Sequence, residues 1–199
     1  WSWVQNLRSV RGLSSVALDD TQETLLHRDL ETFARDREFY KRMGLPYRRG
    51  YLFSGKPGTG KTSLINAISA TYNRDLYYVN LQDIKSDNEL QSAFASVPKN
   101  SIIVFEDIDS QTIGGIGGFD FGDLKLGKGN LFSGFTLSML LNCLDGHMLA
   151  PNVIIIMTTN HPEVLDPALI RPGRIDLHLS LGFCTHYQFN RMLQCVLDD

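Results

Sequence analysis

A glycine-rich pattern, GxxxxGKT, occupies residues 55–62 and constrains the fold of this chain more than any other feature. A short apolar stretch typical of a strand precedes it at residues 49–54, and apolar side chains at helical spacing follow it at residues 63–72. A glycine-rich turn between a strand and a helix directs backbone N–H groups and the positive end of the helix toward one point. The placement predicts a phosphate-binding loop, because a plain glycine turn would leave Lys61 without a role.

Each residue type in this loop suits a polyphosphate bound together with Mg²⁺. The glycines let successive N–H groups face the phosphates, the Lys61 ammonium reaches the outer phosphates, and the Thr62 hydroxyl is a ligand for Mg²⁺. The pattern therefore predicts a nucleotide site. Its expected binding residues are Gly55, Lys56, Pro57, Gly58, Thr59, Gly60, Lys61, Thr62 and Ser63.

Strand-like and helix-like patterns alternate along the chain. Runs as apolar as those at residues 102–105 and 153–157 are typical of strands that are buried on both faces. The alternation predicts an α/β fold with a doubly wound, parallel, five-stranded sheet of the P-loop type. The expected strands are residues 51–54, 76–81, 101–106, 152–159 and 176–181, and the expected helices between them are residues 61–72, 87–97 and 136–144.

Three segments lie outside this alternation. Residues 20–43 predict one amphipathic helix or two short ones, with Asp20 and Glu23 spaced as a capping box. A new helical pattern starts at Thr185, close to the end of the chain. Residues 110–134 are rich in glycine and lack a sustained period, so we expect a long exposed loop there, either a disordered insertion or a surface for a partner or substrate.

Composition excludes several classes of protein. The net charge of -3 and the pI near 5.9 argue against nucleic acid as the main partner, and the Arg48-Arg49 pair is too short to form a basic patch. The three cysteines lack metal-ligand spacing, which indicates thiols in a reducing compartment. No apolar run approaches the roughly 18 to 20 residues of a membrane span. We expect a soluble domain excised from a longer protein, which can carry targeting or membrane segments elsewhere.

Two acidic residues, Glu106 and Asp107, end a predicted central strand. Because the carboxyl ends of parallel strands lie at one edge of a sheet, these acids would lie near the phosphate loop. One carboxylate would then hold the hydration shell of Mg²⁺ and the other would polarise an attacking water. The alternative is a solvated strand end without a catalytic role.

Further polar residues follow the later strands. Asn160 ends the next buried strand and would point its amide at the outer phosphate or at the water, although Asn160-His161-Pro162 is also a common turn sequence. Arg171 and Arg174 flank a Pro-Gly turn, and such a pair of planar cations can stabilise charge during phosphoryl transfer, in its own site or in a neighbour's. Taken alone, Arg-Pro-Gly-Arg is more typical of a surface turn.

Taken in order, these motifs resemble the Walker A motif, the Walker B motif and the second region of homology of the AAA+ ATPases. Four segments are similar, more narrowly, to the Bcs-type mitochondrial AAA ATPases: residues 44–53, 106–109, 140–146 and 158–161. That family assembles respiratory complex III by moving the folded Rieske iron–sulfur protein across the inner membrane. The resemblance covers residues 10–195.

The resemblance implies an ATPase that binds ATP and Mg²⁺ and works in a homo-oligomeric ring. It implies that Asn160 is the sensor 1 residue and that Arg171 and Arg174 are arginine fingers reaching into the neighbouring subunit's site. The implied metal-binding residues are Thr62 and Glu106. The implied catalytic residues are Lys61, Glu106, Asp107, Asn160, Arg171 and Arg174.

The resemblance also implies the surroundings of the domain. Residues 1–183 would form the nucleotide-binding α/β domain, and residues 184–199 would start a helical lid. The expected partners are further copies of the chain and a protein client such as the Rieske protein. The expected location is the matrix side of the mitochondrial inner membrane, with membrane contact only through segments outside this chain.

Two departures from the wider AAA+ pattern limit what the resemblance implies. Most AAA+ proteins end the acidic strand in Asp-Glu, whereas this chain has Glu106-Asp107, the order of the Bcs type. We expect Glu106 to reach a metal-bound water and Asp107 to orient the nucleophile. Residues 82–87 lack the aromatic-apolar-glycine signature of threading motors. Two alternatives stay open: a nucleotide-dependent oligomerisation scaffold with weak turnover, and a related AAA ATPase with another client.

Overall fold

A computed structural model of the protein describes residues 12–109 and 134–197. The strands are β1 (Arg48–Ser54), β2 (Leu76–Tyr78), β3 (Ile102–Phe105), β4 (Val153–Thr159) and β5 (Leu177–Ser180). The α-helices with described bounds are α1 (Asp20–Arg35), α2 (Arg37–Met43), α3 (Lys61–Tyr72), α4 (Asp87–Ala95), α5 (Leu137–Leu144) and α6 (His186–Leu197). Short 3-10 turns lie at Leu13–Ser15, Leu81–Asp83 and Pro162–Val164.

The strands form one parallel five-stranded sheet in the order β2-β3-β4-β1-β5. Helices α1 and α3 pack on one face, and α4 and α5 pack on the other, so that two apolar clusters enclose the sheet. Every residue of β4 is buried, as its apolar sequence predicts. The predicted doubly wound α/β fold is confirmed.

Strand β1 begins at Arg48 rather than at residue 51, where the apolar run starts. Arg48 and Arg49 join the strand because both find acceptors inside the protein. Arg49 Nε donates to Asp29 Oδ2 of α1 at 2.9 Å, and Arg48 Nη1 donates to the carbonyl oxygen of Arg174 at 3.4 Å. The predicted second strand is too long, because it ends at Tyr78.

Three asparagines form the turns before β2, β3 and β4. Asn73, Asn100 and Asn152 have φ values of 49°, 63° and 65°, in the left-handed region that asparagine tolerates better than most residues. The Arg74 guanidinium donates to the carbonyl oxygen and to Oδ1 of Asn152, at 2.6 and 2.7 Å. These contacts close the edge of the sheet at which the strands begin.

Side-chain capping differs between the first and the last described helix. The capping box predicted at Asp20 is wrong, because α1 begins at Asp20 itself and Asp19 precedes it, without a side-chain cap among the described residues. A reciprocal cap forms instead at the start of α6: Thr185 N–H donates to Gln188 Oε1 at 2.8 Å, and Gln188 N–H donates to Thr185 Oγ1 at 3.3 Å.

Two sequence expectations concern the rest of the chain. The predicted loop at residues 110–134 lies outside the described residues, apart from Gly134. Within residues 12–109 and 134–197, no helix has the length and apolar character needed to cross a membrane.

Candidate nucleotide-binding site

The predicted phosphate loop connects the end of β1 to the start of α3. Gly58 and Gly60 have φ values of 82° and 93°, which few residues with a side chain adopt. A Cβ added at Gly55 would lie 2.2 Å from the carbonyl oxygen of Leu181, so this position also requires glycine. Among the described residues no side chain caps α3. The first N–H groups of α3 have no acceptor inside the helix, and together with the helix dipole they make an anion site.

The Lys61 side chain is folded into this loop and is only 8% exposed. Its ammonium donates to the carbonyl oxygens of Gly55 and Lys56, at 2.7 and 3.2 Å, and to Asn160 Oδ1 at 2.8 Å. The Lys56 ammonium, in contrast, lies 5.1 Å from the ring centroid of the exposed Phe183. Lys61 is therefore the ammonium held at the centre of the loop.

Thr62 and Glu106 lie side by side at the carboxyl edge of the sheet. Thr62 Oγ1 donates to Glu106 Oε1 at 2.8 Å, which joins the start of α3 to the residue after β3. A hydroxyl and a carboxylate are the hard oxygen ligands that Mg²⁺ prefers. The two residues predicted to bind Mg²⁺ fit that ion in chemistry and in position.

Asn160 connects Lys61 to Asp107. Its Oδ1 accepts from the Lys61 ammonium, and its Nδ2 donates to Asp107 Oδ1 at 3.2 Å. The Asp107 N–H donates to Thr158 Oγ1 at 2.9 Å, and its φ of 47° turns the backbone sharply after β3. The ends of β3 and β4 thus bring the predicted acids, the predicted sensor and the predicted lysine into one cluster.

A third acid, Asp109, supports this cluster through the end of β4. It was not among the predicted site residues. It is 4% exposed, and its Oδ1 accepts from Thr159 Oγ1 at 2.8 Å and from the Asn160 N–H at 3.1 Å. Asp109 therefore fixes the backbone of Asn160. The signal that pointed to it was its place in the acidic run that begins at Glu106.

The two predicted arginines lie at the opposite edge of the sheet. A Cβ added at Gly50 would lie 1.8 Å from the carbonyl oxygen of Arg174, so Arg174 packs against the start of β1. Gly50 and Gly55 are five residues apart along that strand, which is about 16 Å at 3.3 Å per residue. Arg171 is exposed, and Arg174 pairs with Asp145 of its own chain. The structure thus separates the predicted arginines from the phosphate loop beside which the other site residues lie.

The parallel sheet, the glycine loop that ends β1 and the acids that end β3 define a P-loop nucleotide-binding protein. Residues 51–183 match the model of the "ATPase family associated with various cellular activities (AAA)". The chain belongs to this family of ATPases.

The curated relatives agree with the resemblance predicted from the motifs. The chain is 39% identical over 193 residues to "Probable mitochondrial chaperone bcs1" of Schizosaccharomyces pombe, covering 96% of this chain and 41% of the relative. It is 38% identical over 191 residues to "Mitochondrial chaperone BCS1" of Homo sapiens, covering 94% of this chain and 44% of the relative. "AAA-ATPase At2g18190" of Arabidopsis thaliana is 37% identical over 194 residues, covering 96% and 39%. The chain spans less than half the length of these relatives.

Proposed function

We propose that this chain is the ATP-hydrolysing motor domain of a homo-oligomeric ring. The observation that carries the proposal is that Arg174 packs against the start of β1, whereas the phosphate loop follows the end of that strand. The backbone of Arg174 lies beside Gly50, which is about 16 Å along β1 from Gly55, and an arginine side chain is shorter than this distance. When subunits pack head to tail in a closed ring, one edge of each subunit faces the opposite edge of the next.

Binding would depend on the loop and on two oxygen ligands. Lys61 would exchange its bonds to the carbonyl oxygens of Gly55 and Lys56 for bonds to phosphate oxygens. The N–H groups at the start of α3, residues 61–63, would donate to the same phosphates. Thr62 and Glu106 would hold Mg²⁺, which neutralises the phosphate charge.

Hydrolysis would depend on Asp107 and Asn160. Asp107 would accept the proton of the attacking water, because Glu106 is engaged by Thr62 and Asp107 contacts Asn160 instead. Asn160 touches both Lys61 and Asp107, so it would align the water with the outer phosphate. An arginine from the neighbouring subunit would stabilise the charge that develops on the transferred group.

We also propose that the whole protein is a mitochondrial chaperone. The support comes from the relatives named mitochondrial chaperone BCS1 in fission yeast and human. On this proposal the ring moves the folded Rieske protein, or assembles complex III, at the matrix side of the inner membrane. Residues 1–183 would be the motor and residues 184–199 the start of its lid.

Two alternatives have specific support. The Arabidopsis relative is similar to the same extent and is named only as an AAA-ATPase, which favours a related motor with another client. The order Glu106-Asp107 favours a scaffold that binds ATP and turns it over weakly. Identifying the client that the intact protein captures distinguishes the related motor from the proposal. Measuring phosphate release from ATP distinguishes the scaffold from the proposal.

The decisive experiment is ATP turnover of the full-length protein in mixed rings. Wild-type subunits are mixed with an Arg171→Ala, Arg174→Ala variant at increasing ratios. If the arginines act in trans, turnover falls non-linearly with the variant fraction, whereas a proportional fall indicates independent subunits. Lys61→Ala serves as the control that removes nucleotide binding.

A further inference from the structure

We propose that the two arginines have different roles, with Arg174 as a positioning residue held by Asp145 in its own subunit and Arg171 as the arginine that reaches the neighbouring site. This inference rests on the proposed function, in which an arginine acts in trans. It replaces a pair of equivalent arginine fingers with one finger and one support.

The Arg174 guanidinium makes three hydrogen bonds within its own chain. Nε donates to Asp145 Oδ1 at 2.6 Å and Nη2 donates to Asp145 Oδ2 at 3.0 Å, which is the bidentate geometry of a strong pair. Nη1 donates to the carbonyl oxygen of Ala168 at 2.8 Å. Only 17% of the Arg174 side chain is exposed. To turn its guanidinium toward another subunit, Arg174 would have to give up these contacts.

Asp145 is itself fixed by its position and its neighbours. It is the residue that caps the C-terminus of α5. The next residue, Gly146, has a φ of 86° and packs closely on Arg48. A Cβ added at Gly146 would lie 2.4 Å from Arg48 Cδ. Arg48 is buried and donates to the carbonyl oxygen of Arg174. Arg174, with a smaller contribution from Arg48, holds the pKa of Asp145 below its usual value. The carboxylate therefore stays charged and paired at neutral pH.

The backbone between the two arginines is closed by its own hydrogen bonds. The N–H groups of Arg174 and Ile175 donate to the carbonyl oxygen of Arg171, at 3.0 and 3.1 Å. Gly173 has a φ of 88°, and its N–H donates to Asp176 Oδ1 at 3.3 Å. With Arg174 held at one end, this turn determines where Arg171 projects.

Arg171 is the arginine that this arrangement leaves available. Its side chain is exposed, and within the described part of the chain that side chain makes no hydrogen bond or ion pair. Its backbone is hydrogen-bonded to that of Arg174, which lies at the start of β1 and away from the phosphate loop of its own subunit. Asp145 would thus affect a site that it never touches, by holding the turn that carries Arg171.

The test compares kcat and KM for ATP in full-length rings. We expect Arg171→Ala to lower kcat about 10³-fold, the size of effect seen for arginine fingers, with little change in KM. We expect Asp145→Asn to lower kcat about tenfold, again with little change in KM, because the turn loses its charged support. If Arg174 were a finger, releasing it from Asp145 would leave kcat unchanged or raised, and that result would overturn the proposal.

A charge exchange gives the second measurement. We expect Arg174→Ala alone to lower kcat. The double variant Asp145→Arg, Arg174→Asp should recover a large part of kcat, because the ion pair between positions 145 and 174 can form with the charges exchanged. An exchange variant that assembles into rings yet is as inactive as Arg174→Ala would contradict the support role. Arg35→Ala is the matched control, since Arg35 lies on the surface beside Asp36 and is 77% exposed.

The outcomes also separate this inference from the proposed function. If Arg171→Ala retains wild-type turnover, no arginine finger acts at this position and the proposed function loses its main support. If Arg171→Ala abolishes turnover but Asp145→Asn does not affect it, the ring mechanism stands and only the support role of Arg174 is wrong.

Discussion

The two edges of the sheet use charged residues in opposite ways. At the carboxyl edge, Lys61 holds backbone carbonyl oxygens and Asn160, contacts that phosphate oxygens can replace. At the amino edge, Arg49 and Arg174 each hold a carboxylate of the same chain with two hydrogen bonds, donated by Nε and Nη2. The carboxyl edge therefore has contacts that a ligand can replace, whereas the amino edge has charge pairs that keep its shape.

The amino edge extends this pairing into the core. Asp29 of α1 accepts from Arg49 and also from the Tyr51 hydroxyl, at 2.8 Å from the latter. Burial, and then the charge of Asp29, raise the pKa of Tyr51 well above its usual range, so the phenol stays a donor. Asp176 accepts from the Gly50 N–H at 2.9 Å. These contacts therefore make the amino edge rigid.

The largest effect should come from the ligand-binding edge. Asp107→Asn keeps the size of the side chain and removes its capacity to accept a proton. We expect ATP binding to be preserved and turnover to fall about 10³-fold, which corresponds to about 4 kcal/mol in the barrier. Glu106→Gln is the matched variant and should weaken Mg²⁺-dependent binding instead. Normal turnover in Asp107→Asn would remove the assigned base.

The next effect tests the rigid edge. In Gly50→Ala the new methyl group would lie 1.8 Å from the carbonyl oxygen of Arg174, so the turn must move. We expect the free energy of unfolding to fall by about 3 kcal/mol in denaturant titrations. Gly182→Ala is the control, because an added Cβ there meets no described atom within 4 Å. Equal stability of the two variants would show that the amino edge is not tightly packed.

Asp109 is an exception to this contrast, because it lies at the ligand-binding edge yet is buried and paired like the residues of the other edge. Asp109→Asn keeps one oxygen that can accept from Thr159 Oγ1 and from the Asn160 N–H, but it removes the negative charge that strengthens both bonds. We expect a loss of about 1 to 2 kcal/mol in unfolding free energy, together with a lower kcat, because the bond that anchors Asn160 is weakened. A variant with lower stability and unchanged kcat would assign Asp109 to the core alone.

The smallest effect concerns pH. His178 Nε2 lies 2.7 Å from Ser54 Oγ, next to the phosphate loop, and burial lowers the pKa of His178 below its usual 6.5. Between the folded pKa and 6.5 the unfolded chain binds more protons, so stability falls as the pH drops through that window and is complete above it. In His178→Asn, the midpoint of thermal unfolding should fall less steeply as the pH is lowered through this window. A decline of the same slope in the variant would assign it to other groups.

The sequence predicted the ligand-binding edge better than the rigid one. The bounds of α3 agree with the prediction, because local residues set both ends of the helix: the glycine loop precedes Lys61, and Asn73 caps the C-terminus. The meeting of Glu106, Asp107 and Asn160 follows from a general rule, that the carboxyl ends of parallel strands share an edge. Local patterns were sufficient there.

The rigid edge depends on partners that are distant in sequence. Asp145 and Arg174 are paired through the placement of α5 and a turn, and neither residue is marked by a local pattern. The sequence marks Arg48 and Arg49 only as a basic pair too short to form a patch, and no local pattern identifies Asp29 as the partner of Arg49. The start of β1 was therefore placed too late. Long-range charge pairs are set by tertiary packing, which periodicity does not report.

The left-handed backbone at Asp107 has a consequence for which acids this strand end can carry. At a φ of 47° most side chains crowd the backbone, and aspartate is among the few that adopt this region readily. Glutamate does not adopt this region as readily, so exchanging the two acids would add strain of about 1 kcal/mol or more at this residue. The order Glu106-Asp107 therefore suits the geometry of the turn itself. A variant with the order Asp-Glu would therefore require a different backbone conformation at residue 107.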